Sequence, residues 1–262
     1  MSSRAEAKAK AREQREAAER QEAQAAARKR RLMLLGGVLV AAIAVIAVVV
    51  VISQSGTDKP VSKAEGTTQA NTLFAGIPQT GNVLGDPDAP VTIEEYVDLQ
   101  CPFCQRFSQE GLPDVVKEYV KTGQAKLVLQ TLTFIGPDSE KAAKTAWSSS
   151  DQKKMFEFVE NFYANQEEEN SGYVTEAFLK KVAGGVKGLD VQKALDGRDS
   201  AKVSSSIQGS QAAATKANVD STPSFLVGPT GGTLSKIETK TLTIDDFRQP
   251  VKDALAEAKS NN

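Results

Sequence analysis

The chain has 262 residues, 40% hydrophobic and 25% charged, which is room for one ordinary domain with appendages or two small ones. Its net charge of −1 hides a split: residues 1–31 hold ten Lys/Arg against five Glu, so residues 32–262 carry −6 against their +5. With no histidine there is no Ser-His-Asp or Cys-His nucleophile and no imidazole base, and two cysteines cannot supply the four ligands of a structural zinc site.

Residues 1–31 favour helix by composition but have almost no apolar face to bury, and they read as a solvated, charged tail. Residues 32–52 are 21 consecutive positions without a polar or charged side chain. At 1.5 Å per residue they span about 30 Å, the thickness of a hydrocarbon core. Arg28-Lys29-Arg30-Arg31 precede them, and only Lys59 and Lys63 follow shortly after. That asymmetry predicts a single-pass signal anchor with a cytoplasmic N-terminus and an extracytoplasmic body. Ser53-Gln54-Ser55 is a small-x-small sequence that leaves cleavage open. Residues 53–80, rich in Ser, Thr, Gly and Gln, are predicted to be a flexible tether, and residues 81–258 the folded domain.

Val91 to Val97 is a β-branched run that predicts a strand, and Cys101-Pro102-Phe103-Cys104 follows it closely. Apolar positions from Phe107 to Val120 recur near helical spacing until Gly123, and Gln124 to Phe134 predicts a second strand. The unit is βαβ with a dithiol at its first turn. Residues from about 138 to 219 predict helices only, with caps expected at Asp138 or Ser139, Asp151 and Thr175. Trp147 and the Phe/Tyr cluster are expected in the core. Strands return at Ser224–Val227 and Thr233–Glu238, before a final helix expected to be capped by Thr243 and either kinked or begun at Pro250. The sum is βαβ, a helical insert, then ββα.

A CxxC pair in a chain with no other Cys or His is not half of a zinc ribbon, and Gln105 after Cys104 excludes c-type haem attachment. A bridge closing so small a loop is a weak structural staple. At a helix N-terminus, by contrast, the Cys101 thiolate meets unpaired N–H groups and the positive dipole end, and Cys104 lies one turn in. The pair reads as a redox-active dithiol.

Val91 through Cys104 resembles the first strand and active site of DsbA-like thioredoxin-fold oxidoreductases, and Thr222-Pro223-Ser224-Phe225 resembles that superfamily's cis-proline loop. The resemblance covers about residues 85–258, and Gly136-Pro137-Asp138-Ser139 is similar to members of bacterial envelopes, often membrane-tethered. It implies an α/β thioredoxin fold with a helical insertion behind a transmembrane helix. It implies Cys101 as attacking thiol, Cys104 as resolving thiol, a cis peptide at Pro223, and Thr222, Pro102 and Phe103 as substrate-contacting residues. Glu95, in competition with Glu94 and Asp98, matches the acid that the family buries under the dithiol. Strongly oxidising members have His where this chain has Phe103, which supplies no charge to a thiolate.

The function so implied is a thiol:disulfide oxidoreductase of the bacterial cell membrane, oxidising cysteines of reduced secreted clients and recycled by a quinone-linked membrane thiol oxidase. No cofactor, metal or nucleic-acid partner is expected. The alternatives are a thioredoxin-like isomerase or reductase, or a non-catalytic binding module with its CxxC locked as a disulfide.

Overall fold

The computed structural model describes residues 67–260. The charged tail, the expected membrane anchor and the first part of the expected tether lie outside the described residues. Among those described, no helix is long and apolar enough to cross a membrane.

The strand predicted around Val91 runs from Val91 to Asp98 and is central. In chain order the strands are β1 (Gln79–Thr80), β2 (Val83–Leu84), β3 (Val91–Asp98), β4 (Ala125–Leu132), β5 (Ser224–Pro229) and β6 (Ser235–Ile237). They form one sheet in the order β1-β2-β4-β3-β5-β6. β3 pairs parallel with β4, from Val91↔Ala125 to Asp98↔Leu132, and antiparallel with β5, from Val91↔Pro229 to Tyr96↔Ser224. A strand covered on both faces favours β-branched and apolar residues throughout, which accounts for the composition of β3 and the complete burial of β5.

The parallel pair needs a crossover, and here the expected single helix is broken. It comprises α2 (Pro102–Glu110), α3 (Leu112–Val115) and a π-helical turn (Val116–Val120), after α1 (Thr67–Leu73) at the start of the described chain. The break falls at Gly111, where a Cβ would stand 2.4 Å from the Leu242 carbonyl oxygen and 2.7 Å from the Phe107 ring. Only glycine admits that approach. Gly123, at φ +71°, ends the crossover in the left-handed conformation. On the α2 face of the sheet Phe107, Phe225 and Phe247 interlock, with centroids 4.6, 5.5 and 4.9 Å apart, and tie α2, β5 and the last helix together.

Between β4 and β5 run α4 (Pro137–Ser150), α5 (Met155–Ala164), α6 (Glu176–Gly184), α7 (Val191–Asp196) and α8 (Ala201–Lys216). Ala214 of α8 packs with Tyr96, Leu132 and Leu226 on the opposite face of the sheet. Trp147 is buried and donates Nε1–H to Thr131 Oγ1 at 2.8 Å. Thr175 caps α6 as its sequence position predicts, accepting from the Phe178 N–H. Other caps differ. α4 starts at Pro137 behind Gly136 with no side-chain cap, and the Asp138 carboxylate pairs with Lys141 at 2.8 Å. Asp151 closes α4 instead of opening α5, which starts at Met155.

The last helix, α9 (Asp245–Ser260), contains Pro250 in its interior. Thr243 is not its cap: its hydroxyl pairs with Thr241, while Asp246 gathers the backbone N–H groups of Lys240, Thr241 and Leu242 at 3.1, 3.0 and 2.7 Å. The tether expectation also needs correction at its C-terminal end. Residues 67–80 belong to the folded unit, because α1 packs on α5, Phe74 meets Phe156 at 5.9 Å between centroids, and Gln79 Nε2 donates to Glu157 at 2.7 Å. Ala70, Leu73, Phe74 and Ile77 do recur at helical spacing, but the run is too short to hold a helix alone, and its partners lie about 80 residues further along the chain.

Candidate active site

The end of β3 delivers the chain into a turn, the Cys101 N–H donating to the Asp98 carbonyl at 2.9 Å. Cys101 then takes the N-cap position of α2 with extended backbone angles, and Pro102 occupies the first helical position, where its missing N–H removes no bond. This is the placement the CPxC spacing predicts. The backbone N–H groups of Phe103 and Cys104 are thereby left to face the Cys101 sulfur.

Both cysteines are free thiols and both are buried, but differently. Cys101 retains 5% exposure, and its Sγ lies 3.3 Å from the Thr222 carbonyl, to which the thiol donates. The Thr222–Pro223 peptide is cis. The Cys101 thiol is pulled down to about 6, first by a hydrogen bond from the Cys104 thiol, with the Thr222 side chain and the helix-end N–H groups assisting and burial opposing. Cys104 is fully buried and is pushed well above the ordinary thiol value, first by that burial, then by the bond to Cys101 and by the charges of Cys101 and Glu95. The two sulfurs therefore have opposite characters, one a stable thiolate and the other a thiol that holds its proton.

The three candidate acids separate by strand face. Successive residues of a strand point to opposite sides, so Glu95 shares its face with Ile93 and Val97, and Glu94 shares the other with Tyr96 and Asp98. Glu94 accepts from the Tyr96 hydroxyl at 2.8 Å, away from the dithiol. Asp98 is fully buried and is spent on the loop, accepting from the N–H groups of Gln100 at 2.9 Å and Ile135 at 3.2 Å. Glu95 is 4% exposed and acts electrostatically on Cys104. Its carboxyl is pushed up to about 8, first by burial and then by the charge of Glu160.

Glu160 is the functional candidate that the sequence reading missed. It comes from α5, is partly buried, accepts from Ser108 Oγ at 2.6 Å, and is itself pushed up to about 8 by burial. The available signal was an acid inside the apolar run Met155–Tyr163. The sequence also gave no hint of how the insert is fastened to the active-site turn. Gln166 Nε2 donates to the Leu99 carbonyl at 2.7 Å and to the Cys101 carbonyl at 3.3 Å. Gln105 Nε2 donates to the Tyr163 carbonyl at 2.7 Å, and the Tyr163 hydroxyl donates to the Asp98 carbonyl at 3.3 Å.

Beside the dithiol Phe103 is 60% exposed, although it is aromatic. A groove of about 460 Å3 lies along Pro102, Gln105 and Gln166–Asn170. Another of about 570 Å3 runs past Pro223 between Ser221 and Lys236–Lys240. Among the described residues no cluster of three His, Cys, Asp or Glu is placed to hold a metal ion.

A family model described as Thioredoxin matches residues 78–252. Disulfide bond formation protein D of Bacillus subtilis is 26% identical over 166 residues, which cover 62% of this chain and 74% of that protein. In solved structures the fold is similar to oxidised BdbD from Bacillus subtilis, with a TM-score of 0.59 at 22% identity over 67% of this chain and 93% of the other. It is similar too to DsbA of Chlamydia trachomatis, with a TM-score of 0.57 at 20% identity over 69% and 92% of the two chains.

Proposed function

We propose a function from the premise that this chain belongs to the thioredoxin family, matched over residues 78–252: it is a protein-disulfide oxidoreductase of the DsbA-like kind, and it works as an extracytoplasmic oxidant through Cys101 and Cys104. The observation that carries the reading is the asymmetry of the two sulfurs. Cys101 sits at a helix N-terminus against the cis-proline loop with its thiol pulled down to about 6, while Cys104 is sealed behind it with its proton held.

The reaction follows from that asymmetry. In the oxidised protein a client thiolate attacks Cys101 Sγ, the Cys101–Cys104 bond breaks, and Cys104 leaves with the electron pair and takes up a proton. A second client thiolate then attacks the client sulfur of the mixed disulfide. Cys101 departs as a thiolate, which it holds readily, and the client keeps the new disulfide. Two electrons end on the dithiol. Glu95 is the internal proton partner of Cys104, Pro102 and Phe103 border the attacked sulfur, and Thr222 and Pro223 receive the client strand.

The finer assignment has the catalytic domain tethered to a bacterial membrane by residues 32–52, with reduced secreted proteins as clients and a quinone-linked membrane thiol oxidase removing the two electrons. It is supported by the apolar length and flanking charge of that segment and by the DsbA-like resemblance. The reduction potential of the Cys101/Cys104 pair, measured by equilibration with glutathione, tests the direction. A value between about −180 and −120 mV is expected of an oxidant. A value near about −270 mV would make the protein a reductant, and a pair that does not cycle at all would leave a binding module.

A further inference from the structure

We infer that Glu160 is a positioning residue for the dithiol: with Ser108 it forms a second carboxyl site beneath the active-site helix that keeps Glu95 loaded with the proton Cys104 needs when it leaves. The inference deepens the oxidoreductase reading above and rests on it.

Cys104 and Ser108 are one turn apart on α2 and share a face, and both are buried, at 0% and 3% exposure. Glu95 lies on the face of the sheet that α2 covers, beside Phe225, whose ring meets Phe107 of α2 at 4.6 Å between centroids. α5 packs on the same helix, and the Glu160 carboxylate accepts from the Ser108 hydroxyl at 2.6 Å. The titratable groups around the pair are Asp98 from β3, Cys101 and Cys104 from α2, and Tyr163 from α5; β5 contributes only apolar Phe225. Asp98 is held by the Gln100 and Ile135 N–H groups, and Glu157, the other acid of α5, turns to Gln79 and Lys154. Among the described residues no lysine or arginine pairs with Glu95 or Glu160.

Two carboxyls in one desolvated site without a cation cannot both ionise readily. Both are pushed up to about 8, by burial in each case and for Glu95 also by the charge of Glu160, while Ser108 holds Glu160 down in part. Around neutral pH the pair therefore keeps at least one proton. When a client thiolate breaks the disulfide, the electron pair goes to Cys104 Sγ, the Glu95 O–H bond breaks, and its proton passes to that sulfur. Glu95 is left as a carboxylate. On reoxidation Cys104 returns the proton to Glu95 as its sulfur attacks, so the exchange balances over a cycle. Glu160 touches neither sulfur; it acts through Glu95. Its partial exposure gives the pair contact with water that Glu95 alone lacks.

The test uses the full chain with Glu160→Gln, which keeps the size of the side chain and an acceptor for Ser108. The rate at which a small thiol reduces the Cys101–Cys104 disulfide, divided by the thiolate concentration, is followed from about pH 5.5 to 9.5. In the unaltered protein this rate falls near pH 8, where the pair gives up its proton. Removing the like charge is expected to move the fall about one pH unit lower. At pH 8 the variant is then roughly fivefold slower, and at pH 6 it matches the unaltered protein. Carbon-13 spectra of labelled glutamate carboxyls should show the Glu95 titration moving the same way. A fall that stays at the same pH, or a rate reduced equally at every pH, would overturn the role of Glu160. A disulfide that no thiol reduces would instead overturn the oxidoreductase reading, and the carboxyl titration alone would still decide whether Glu160 acts on Glu95.

Discussion

Replacing Cys104 by alanine and by serine separates what holds the Cys101 thiolate. The strongest support for that thiolate is the hydrogen bond from the Cys104 thiol, ahead of Thr222 and the N–H groups of Phe103 and Cys104. A hydrogen bond to a charged acceptor contributes about 1.5–3 kcal/mol, and 1.36 kcal/mol corresponds to about one pKa unit. Cys104→Ala removes a donor to the charged form, so the Cys101 pKa must rise, by about one to two units. Its thiolate fraction at pH 7 then drops from about nine-tenths to somewhere between about a half and a tenth. Cys104→Ser keeps a hydroxyl donor and should stay close to 6. The assay is the pH dependence of iodoacetamide alkylation, in which each variant has one cysteine and the midpoint reports Cys101 directly. Coincident midpoints near 6 for both variants would refute the reasoning and leave the helix end and Thr222 as the main support. Thermal unfolding must accompany the titration, because Cys104 is fully buried and the alanine leaves a small void.

Cys104→Ala has no internal disulfide for a client to attack. Its mixed disulfides are expected instead from attack of the Cys101 thiolate on the disulfides of oxidised clients, with nothing inside the domain to release them, whereas Cys101→Ala traps few; equal adduct ladders on non-reducing gels would remove the order of attack. Phe103→His, at an exposed site beside the helix N-terminus, should stabilise the thiolate and hence the reduced form, raising the potential by about 30 mV for each pKa unit gained. An unchanged Cys101 titration in that variant would contradict it. Glu95 binds its proton more tightly when folded than when unfolded, so its contribution is complete below about 4.5 and is lost as pH rises toward about 8, at up to about 1.4 kcal/mol per pH unit. Urea unfolding at pH 5 and pH 8 should accordingly show a smaller loss for Glu95→Gln than for the unaltered protein, and an identical loss would mean that Glu95 is ionised in the native state. An N-terminal tag on the full chain should stay in the membrane fraction while external protease digests the C-terminal part; a soluble mature form beginning near Gly56 would replace the anchor with a cleaved signal.

Much of the thioredoxin fold was legible because its signals are local. A β-branched run, a CxxC at a helix start and turn residues each express a preference settled within a few residues, so β3, the start of α2 and β4 stand where the sequence puts them and the insert is helical as expected, although of its three expected caps only Thr175 serves as one. The dithiol was legible for the same reason: three-residue spacing on a helix N-terminus fixes which sulfur meets the free N–H groups and which is turned inward.

What escaped the sequence depends on partners far along the chain. The crossover breaks at Gly111, where the Leu242 carbonyl leaves no room for a Cβ, and α1 is folded because α5 offers Phe156 and Glu157 to Phe74 and Gln79. Among the three acids near the dithiol the sequence favoured Glu95 with Glu94 and Asp98 in competition, and the pleat of β3 separates them, turning Glu95 to the sheet face that α2 covers and Glu94 to the other, where it meets Tyr96. Glu160, 65 residues beyond Glu95, enters the site only because the insert folds back over α2 and sets its carboxyl against Ser108. Desolvation is a property of the packed assembly: the same two glutamates in an extended chain would both be ordinary surface acids, and it is packing that pushes both up to about 8.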